Sequence, residues 1–179
     1  DTLTRLTGWA SPVADRTWAE LSEARLPNGE PLARFDQLLD TFPEAFWNIE
    51  VKNRGATGPT VATIRRRGID RRVCLSAMSD LRMASVRRAA AGLQPAYATP
   101  IASTLWLKAA SYLAVLPYWT RAHVAQVPVR DRGIPVLDER FVARAHRAGL
   151  RVIMWTADEP AEMVRLLDMG VDGILTNLP

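Results

Sequence analysis

The chain has 179 residues, 48% of them hydrophobic and 23% charged, with a net charge of +4 at pH 7. That is enough chain for a single core, and the composition excludes a disordered or coiled-coil protein. The 21 arginines, against two lysines, are scattered except for the runs Arg65-Arg66-Arg67 and Arg71-Arg72, which read as solvated helix ends; no aromatic or motif context makes them a nucleic-acid surface.

In chain order, residues 1 to 45 form a lead-in, with a short helix near Thr17–Glu23, a turn at Asn28-Gly29 and a second helix near Ala33–Thr41. Short apolar runs then alternate with helical periods. The first run, Phe46–Lys52, is a strand in which Glu50 and Lys52 stand two residues apart and leave on the same side. Two such charges in an apolar segment either neutralise each other as a structural ion pair or meet a ligand. A helix over Thr60–Arg67 leads to a strand over Arg72–Ala77, where Cys74 reads as a core residue without an internal disulfide partner and Ser76 stands at the strand end.

A helix over Asp80–Ala91 and a strand over Ala96–Thr99 precede the most apolar stretch, Ile101 to Trp119. Lys108 at its centre, Ser103, Ser111 and Pro117 argue against a transmembrane segment and for a helix over about Ala102–Val115. Its Trp106, Tyr112, Tyr118 and Trp119 leave contact with a membrane surface or a lipid-like substrate open. Next come a strand over Val124–Val129 and a helix over Asp138–Ala148, with Phe141, Val142, Ala145 and Ala148 on one face and Gly149 as its stop. A strand over Arg151–Thr156 is followed by a helix over Pro160–Met169. Asp158 or Glu159 caps it, Met163, Leu166 and Leu167 point inward, and Gly170 ends it. The last strand is Gly173–Thr176.

Six strands alternating with five helices imply parallel strands, in a (β/α) barrel or an open doubly wound sheet; periodicity does not separate the two. In a barrel the chemistry sits at the C-terminal strand ends, which makes Glu50, Lys52, Ser76 and Trp155 the candidates, with Thr156, Asp158 and Asn177 behind them. His123 falls at a strand entrance and His146 on an outer helix, so neither is placed to move protons at that end. Gly170 and Asp172 enter the last strand from the opposite end and are expected to do structural work.

Asn48-Ile49-Glu50-Val51-Lys52 is similar to the I-E-x-K motif of the glycerophosphodiester phosphodiesterase family. Leu3-Thr4-Arg5 resembles the family's L-x-R, and Thr17-Trp18-Ala19-Glu20-Leu21 its T-x-x-E-L. Gly29 through Leu39 resembles G-x-x-I-P-T-L-x-E-V-L, with Ala33 and Phe35 as departures. Trp155-Thr156-Ala157-Asp158 is similar to W-T-V-N, and the segment from Gly170 to Pro179 to G-V-D-G-I-I-T-D-R-P. Asp158 stands where the family has asparagine, and Asn177 where it has aspartate.

The resemblance implies an α/β fold of the (β/α)8 TIM-barrel type, with about strands 3 to 8 present in a single truncated domain spanning residues 1–179. The family's H-R-G, E-x-D and H-D motifs would fall before Asp1, so no catalytic histidine is expected in this chain. What it implies for the rest is a divalent metal, Mg²⁺ or Ca²⁺, on Glu50, and a small-molecule phosphodiester contacted by Lys52, Trp155 and Ser76. The reaction would be hydrolysis of glycerophosphodiesters to glycerol 3-phosphate and an alcohol, with the 179-residue chain inactive alone. A related lyase acting on lysolipids and a non-catalytic remnant or assembly partner are the alternatives. The expected location is cytoplasmic, with no nucleic-acid partner and with self-association through exposed sheet edges.

Overall fold

The T-x-x-E segment near the start folds as a capping box. Thr17 Oγ1 accepts from the Glu20 N–H at 3.3 Å, and Glu20 Oε2 accepts from the Thr17 N–H at 2.8 Å, so two otherwise orphaned donors at the start of a helix are satisfied reciprocally. The computed structural model describes residues 3–113, 120–131 and 133–178, which divide into a first unit, Asp1–Phe46, and a second, Trp47–Pro179. The first unit holds α1 (Thr4–Thr7), a 3₁₀ turn at Val13–Asp15, α2 (Trp18–Leu21) and α3 (Phe35–Thr41). Gly29, at φ +86°, makes the tight turn in the connection between α2 and α3, where an Arg25–Pro31 bridge closes a small loop.

The second unit runs β1 (Trp47–Glu50), α4 (Thr57–Arg67), β2 (Val73–Ser76), α5 (Asp80–Ala89), β3 (Ala96–Tyr97), α6 (Ile101–Tyr112) and β4 (Val124–Val127). It continues through a small hairpin of β5 (Arg130–Asp131) and β6 (Ile134–Pro135), then α7 (Glu139–Arg147), β7 (Arg151–Trp155), α8 (Pro160–Asp168) and β8 (Gly173–Leu175). All six expected strands and five expected helices of this unit are present. The hairpin was not anticipated, because two-residue strands carry no alternation to read. Leu167, expected inward, is exposed: the buried stripe of α8 centres on Leu166, flanked by Met163 and Met169. Residues 114–115, at the expected end of α6, and Tyr118 and Trp119 lie outside the described residues.

Strand neighbours decide between the two architectures left open. β1, β2 and β3 pair in parallel, as do β4, β7 and β8. A parallel bridge between Ala98 and Val124 joins the two groups, with His123 N–H donating to the Tyr97 carbonyl at 2.7 Å and Thr99 N–H to the Val124 carbonyl at 2.8 Å. The order β1-β2-β3-β4-β7-β8 follows the sequence without the reversal that defines a doubly wound sheet. The sheet also coils. β1 and β4 would lie about 14 Å apart in a flat sheet, yet Gln126 Nε2 donates to Asn48 Oδ1 at 2.7 Å across the concave side. Six parallel strands curving in chain order are the wall of a (β/α) barrel.

Alternation sorts the side chains between two faces. Ala125, Val127, Val152 and Met154 point outward and are buried with Leu107 and Ala110 of α6, Phe141, Val142 and Ala145 of α7 and Leu166 of α8. The concave face carries Asn48 and Cys74, with Gln126 Nε2 also 3.7 Å from Cys74 Sγ. Burial pushes the Cys74 thiol up to about 11, so it stays protonated and unreactive at neutral pH. Among the described residues no helix is long and apolar enough to cross a membrane.

Lys108, whose side chain is only 17% exposed, finds its counter-ion on the neighbouring helix: its Nζ lies 2.6 Å from Asp138 Oδ2. Asp138 is also the N-cap of α7, where Oδ1 accepts from the Phe141 N–H at 2.8 Å, and its Oδ2 accepts from the Tyr112 hydroxyl. Desolvation raises the Asp138 pKa, but the bonds from Lys108, Tyr112 and Phe141 outweigh it and hold the carboxyl below its ordinary value. A depressed carboxyl stabilises the fold above its unfolded pKa and loses that contribution as pH falls through its folded one. Asp138→Ala should therefore cost about 2 kcal/mol near neutral pH, from the lost cap and the unpaired ammonium. Denaturant titrations of both proteins should show that difference constant down to about pH 5 and shrinking below about pH 4.

Candidate active site

Glu50 is the last residue of β1, and Lys52 follows it by two on the same side. Lys52 Nζ and Glu50 Oε2 are 2.9 Å apart, with the side chains 62% and 37% exposed. At that exposure the pair contributes little to stability, and both charges remain open to a ligand from solvent. The register sets Ser76, the last residue of β2, directly beside Glu50. Ser76 is buried, and its Oγ donates to the Ile49 carbonyl at a long 3.4 Å, so the hydroxyl is turned toward the sheet backbone.

Trp155 ends β7 and is half-buried. It lines a cavity of about 80 Å³ together with Met78, Ile101, Leu105, Thr99 and Gln126. Thr99 and Thr104 satisfy each other's hydroxyls at 2.8 Å in the same wall, which leaves the lining mostly apolar. Gln126 connects the two halves of this end of the sheet: it borders the Trp155 cavity and bonds Asn48, which lies two residues before Glu50 on the same face of β1. Glu50, Lys52 and Ser76 are thus immediate neighbours, and Trp155 stands across the concave side from them. Gln126 is the residue that sequence reasoning passed over. Its contact with Asn48 joins positions 78 apart, and neither belongs to a motif.

Two of the departures from the family motifs, Asp158 and Asn177, prove to be one contact. Asp158 Oδ1 accepts from the Asn177 N–H at 2.8 Å and from Thr176 Oγ1 at 2.9 Å, while Oδ2 accepts from Asn177 Nδ2 at 3.1 Å. The Asn177 backbone and side chain, with Thr176, hold the Asp158 carboxyl below the usual carboxylate range. An acid and an amide have exchanged places across a hydrogen-bonded pair, and the loop after Trp155 remains tied to the end of β8.

Both histidines occupy the other end of the strands. His123 precedes β4 and accepts the Tyr97 N–H on Nδ1 at 3.1 Å. His146 Nε2 lies 2.8 Å from Asp172 Oδ2, which also accepts from the Val152 N–H at 2.7 Å. Asp172 therefore anchors the entrances of β7 and β8. Desolvation raises its pKa, yet the Val152 N–H and His146 together hold it below its ordinary value.

Among the described residues, no three His, Cys, Asp or Glu side chains gather to hold a metal ion. Glu50 offers a single carboxylate, one of whose oxygens already faces Lys52. A divalent cation of the Mg²⁺ or Ca²⁺ kind takes six or more oxygen ligands, so these residues do not complete such a site.

Comparison with known proteins agrees with the fold and the motifs. A model of the glycerophosphoryl diester phosphodiesterase family matches residues 1–179. A probable glycerophosphodiester phosphodiesterase 2 from Mycobacterium tuberculosis is 34% identical over 95% of this chain, and the chain spans 66% of that protein, just under two thirds of its length. A putative glycerophosphoryl diester phosphodiesterase from Agrobacterium tumefaciens superposes with a TM-score of 0.77 at 19% identity, covering 99% of this chain and 74% of that one. A phosphodiesterase from Oleispira antarctica, solved in complex with the product sn-glycerol-3-phosphate, superposes with a TM-score of 0.69 at 15% identity, covering 100% of this chain and 74% of that one. Strand order, coiling and the match along the whole chain have one explanation: it belongs to the glycerophosphoryl diester phosphodiesterase family, and its fold is of the TIM-barrel type.

Proposed function

We propose that the whole protein hydrolyses glycerophosphodiesters to glycerol 3-phosphate and an alcohol, at a site that includes Glu50, Lys52, Ser76 and Trp155. The observation that carries this reading is the solvent-open Glu50–Lys52 pair at the C-terminal end of β1, in a chain of this family. The Lys52 ammonium is a compact donor for a phosphoryl oxygen and offsets charge that builds there during P–O cleavage. The Trp155 ring supplies an apolar wall against which the carbon skeleton of a substrate packs. Ser76, held at the Ile49 carbonyl, borders the pair rather than reacting.

Glu50 is the carboxylate we assign to a divalent metal, Mg²⁺ or Ca²⁺. The described residues do not complete its coordination, so no step is routed through the ion. Proton transfer is likewise not assigned to a residue of this chain, because His123 and His146 lie at the opposite end of the strands. The 179-residue chain alone is accordingly inactive in this reading. The outer edges of β1 and β8, which pair with no other strand among the described residues, favour self-association. A lyase reading is favoured by one observation, the apolar cavity beside Trp155, and a cyclic phosphate product distinguishes it.

Two expectations follow from these assignments. Toward glycerophosphocholine the 179-residue chain should show no turnover, while a longer chain carrying H-R-G, E-x-D and H-D ahead of it should be active. In that longer chain Glu50→Gln or Lys52→Ala should lower kcat by about 10²–10³; steady-state kinetics unaffected by both substitutions would remove the pair from the site. The exchanged acid and amide yield the second. Asn177→Asp alone sets two carboxylates against each other and should lower the Tm, whereas adding Asp158→Asn should restore it. A double variant no more stable than the single one would show that the two positions do not act as a pair.

A further inference from the structure

We propose that the rim at the C-terminal strand ends docks the protein on an anionic phospholipid surface. Four large apolar side chains of this rim face water: Leu81 in the first turn of α5 is 85% exposed, Leu105 58%, Met78 48% and Ile101 44%. They belong to one place. Ile101 N–H donates to the Met78 carbonyl at 3.1 Å, and Ala102 N–H to Asp80 Oδ2 at 3.2 Å, which fixes the start of α6 against the start of α5. Met78, Ile101 and Leu105 also line the cavity of Trp155.

Leu81 borders a second recess, of about 400 Å³, whose polar lining is Arg54, Arg82, Arg88, Ser79 and Ser85, without an acidic side chain. The guanidinium groups of these three arginines make no hydrogen bond or ion pair among the described residues. Arg16 and Arg165, by contrast, are matched by Glu20 and Glu162. Three unmatched arginines beside four exposed apolar side chains call for a partner that offers anionic oxygens and hydrocarbon together.

A phospholipid leaflet with anionic headgroups is that partner. The planar fork of arginine matches phosphodiester oxygens, and leucine and isoleucine side chains gain by leaving water for the acyl boundary. Charge then selects an anionic leaflet over a neutral one. Docked in this way, the cavity of Trp155 opens toward the bilayer. Binding can be read without turnover, so the inference stands or falls separately from the proposed reaction.

The test is sedimentation of the purified 179-residue chain with phosphatidylcholine vesicles, with and without phosphatidylglycerol, at low and high salt. Binding should require phosphatidylglycerol and weaken with salt. Replacing Arg54, Arg82 or Arg88 by Ala should lower partitioning about fivefold each, and Leu81→Asp about tenfold or more. All four positions lie on the surface or half-buried, and unchanged thermal unfolding confirms that each variant is folded. Ile101→Asp gives a second apolar variant on a different helix. Equal binding to neutral vesicles, binding unaffected by these substitutions, or no binding at all would each overturn the proposal. So would light scattering in which Leu81→Asp only dissolves a self-association, since the occupant of the rim would then be a second copy of the chain.

Discussion

Coiling of the sheet is the constraint on which the rest of the structure depends. Parallel strands alternate their side chains between two faces, and here the curvature of the sheet gives those faces different work. The convex face is closed by α6, α7 and α8 with an apolar layer in which Phe141, Val152, Met154 and Leu166 are fully buried. The concave face is narrow enough for an asparagine and a glutamine from strands three apart to meet. Polar groups on that face can therefore satisfy one another, and the strand ends above them can remain polar without destabilising the wall.

This division explains why Glu50 and Lys52 are tolerated in an apolar strand. Trp47, Ile49 and Val51 take the more buried face, while Asn48, Glu50 and Lys52 take the exposed one. The opposite end of the same strands is built for anchoring. Asp172 ties the entry of β8 to β7 through the Val152 amide, and His123 ties β4 to β3 through the Tyr97 amide. Asp172 and His123 at the entrances are engaged with backbone, whereas Glu50 and Lys52 at the exit of β1 face solvent, the polarity expected where a scaffold is stable at one end and variable at the other.

Much of the architecture was legible in the sequence because it is local. Each of the six parallel strands is a short apolar run, each helix of the second unit has a recognisable start or stop, and α7 declares its buried face through Phe141, Val142 and Ala145. Strand order was not legible, because it depends on which edges meet, and periodicity is the same for a barrel and for a doubly wound sheet. The β5–β6 hairpin escaped because its strands are too short to alternate. Within the site, Glu50 and Lys52 announced themselves by charge in an apolar run. Gln126 did not, since its partner is remote in sequence. Asp158 and Asn177 each looked like an isolated departure until their contact was seen, because pairing across space leaves no mark on either position alone.

Lys108 has a consequence for how the chain reaches this structure. It sits in the most apolar helix, and its counter-ion lies 30 residues later, at the start of α7. Synthesis runs from the N-terminus, so α6 leaves the ribosome before Asp138 does, and until then the nascent helix carries an ammonium that has nowhere dry to go. Docking of α6 on the strands is then incomplete until α7 has been synthesised and capped. The two helices and the β4–β7 pair beneath them mature as one cooperative unit, and a nascent chain stopped short of Asp138 keeps α6 exposed to chaperones and proteases.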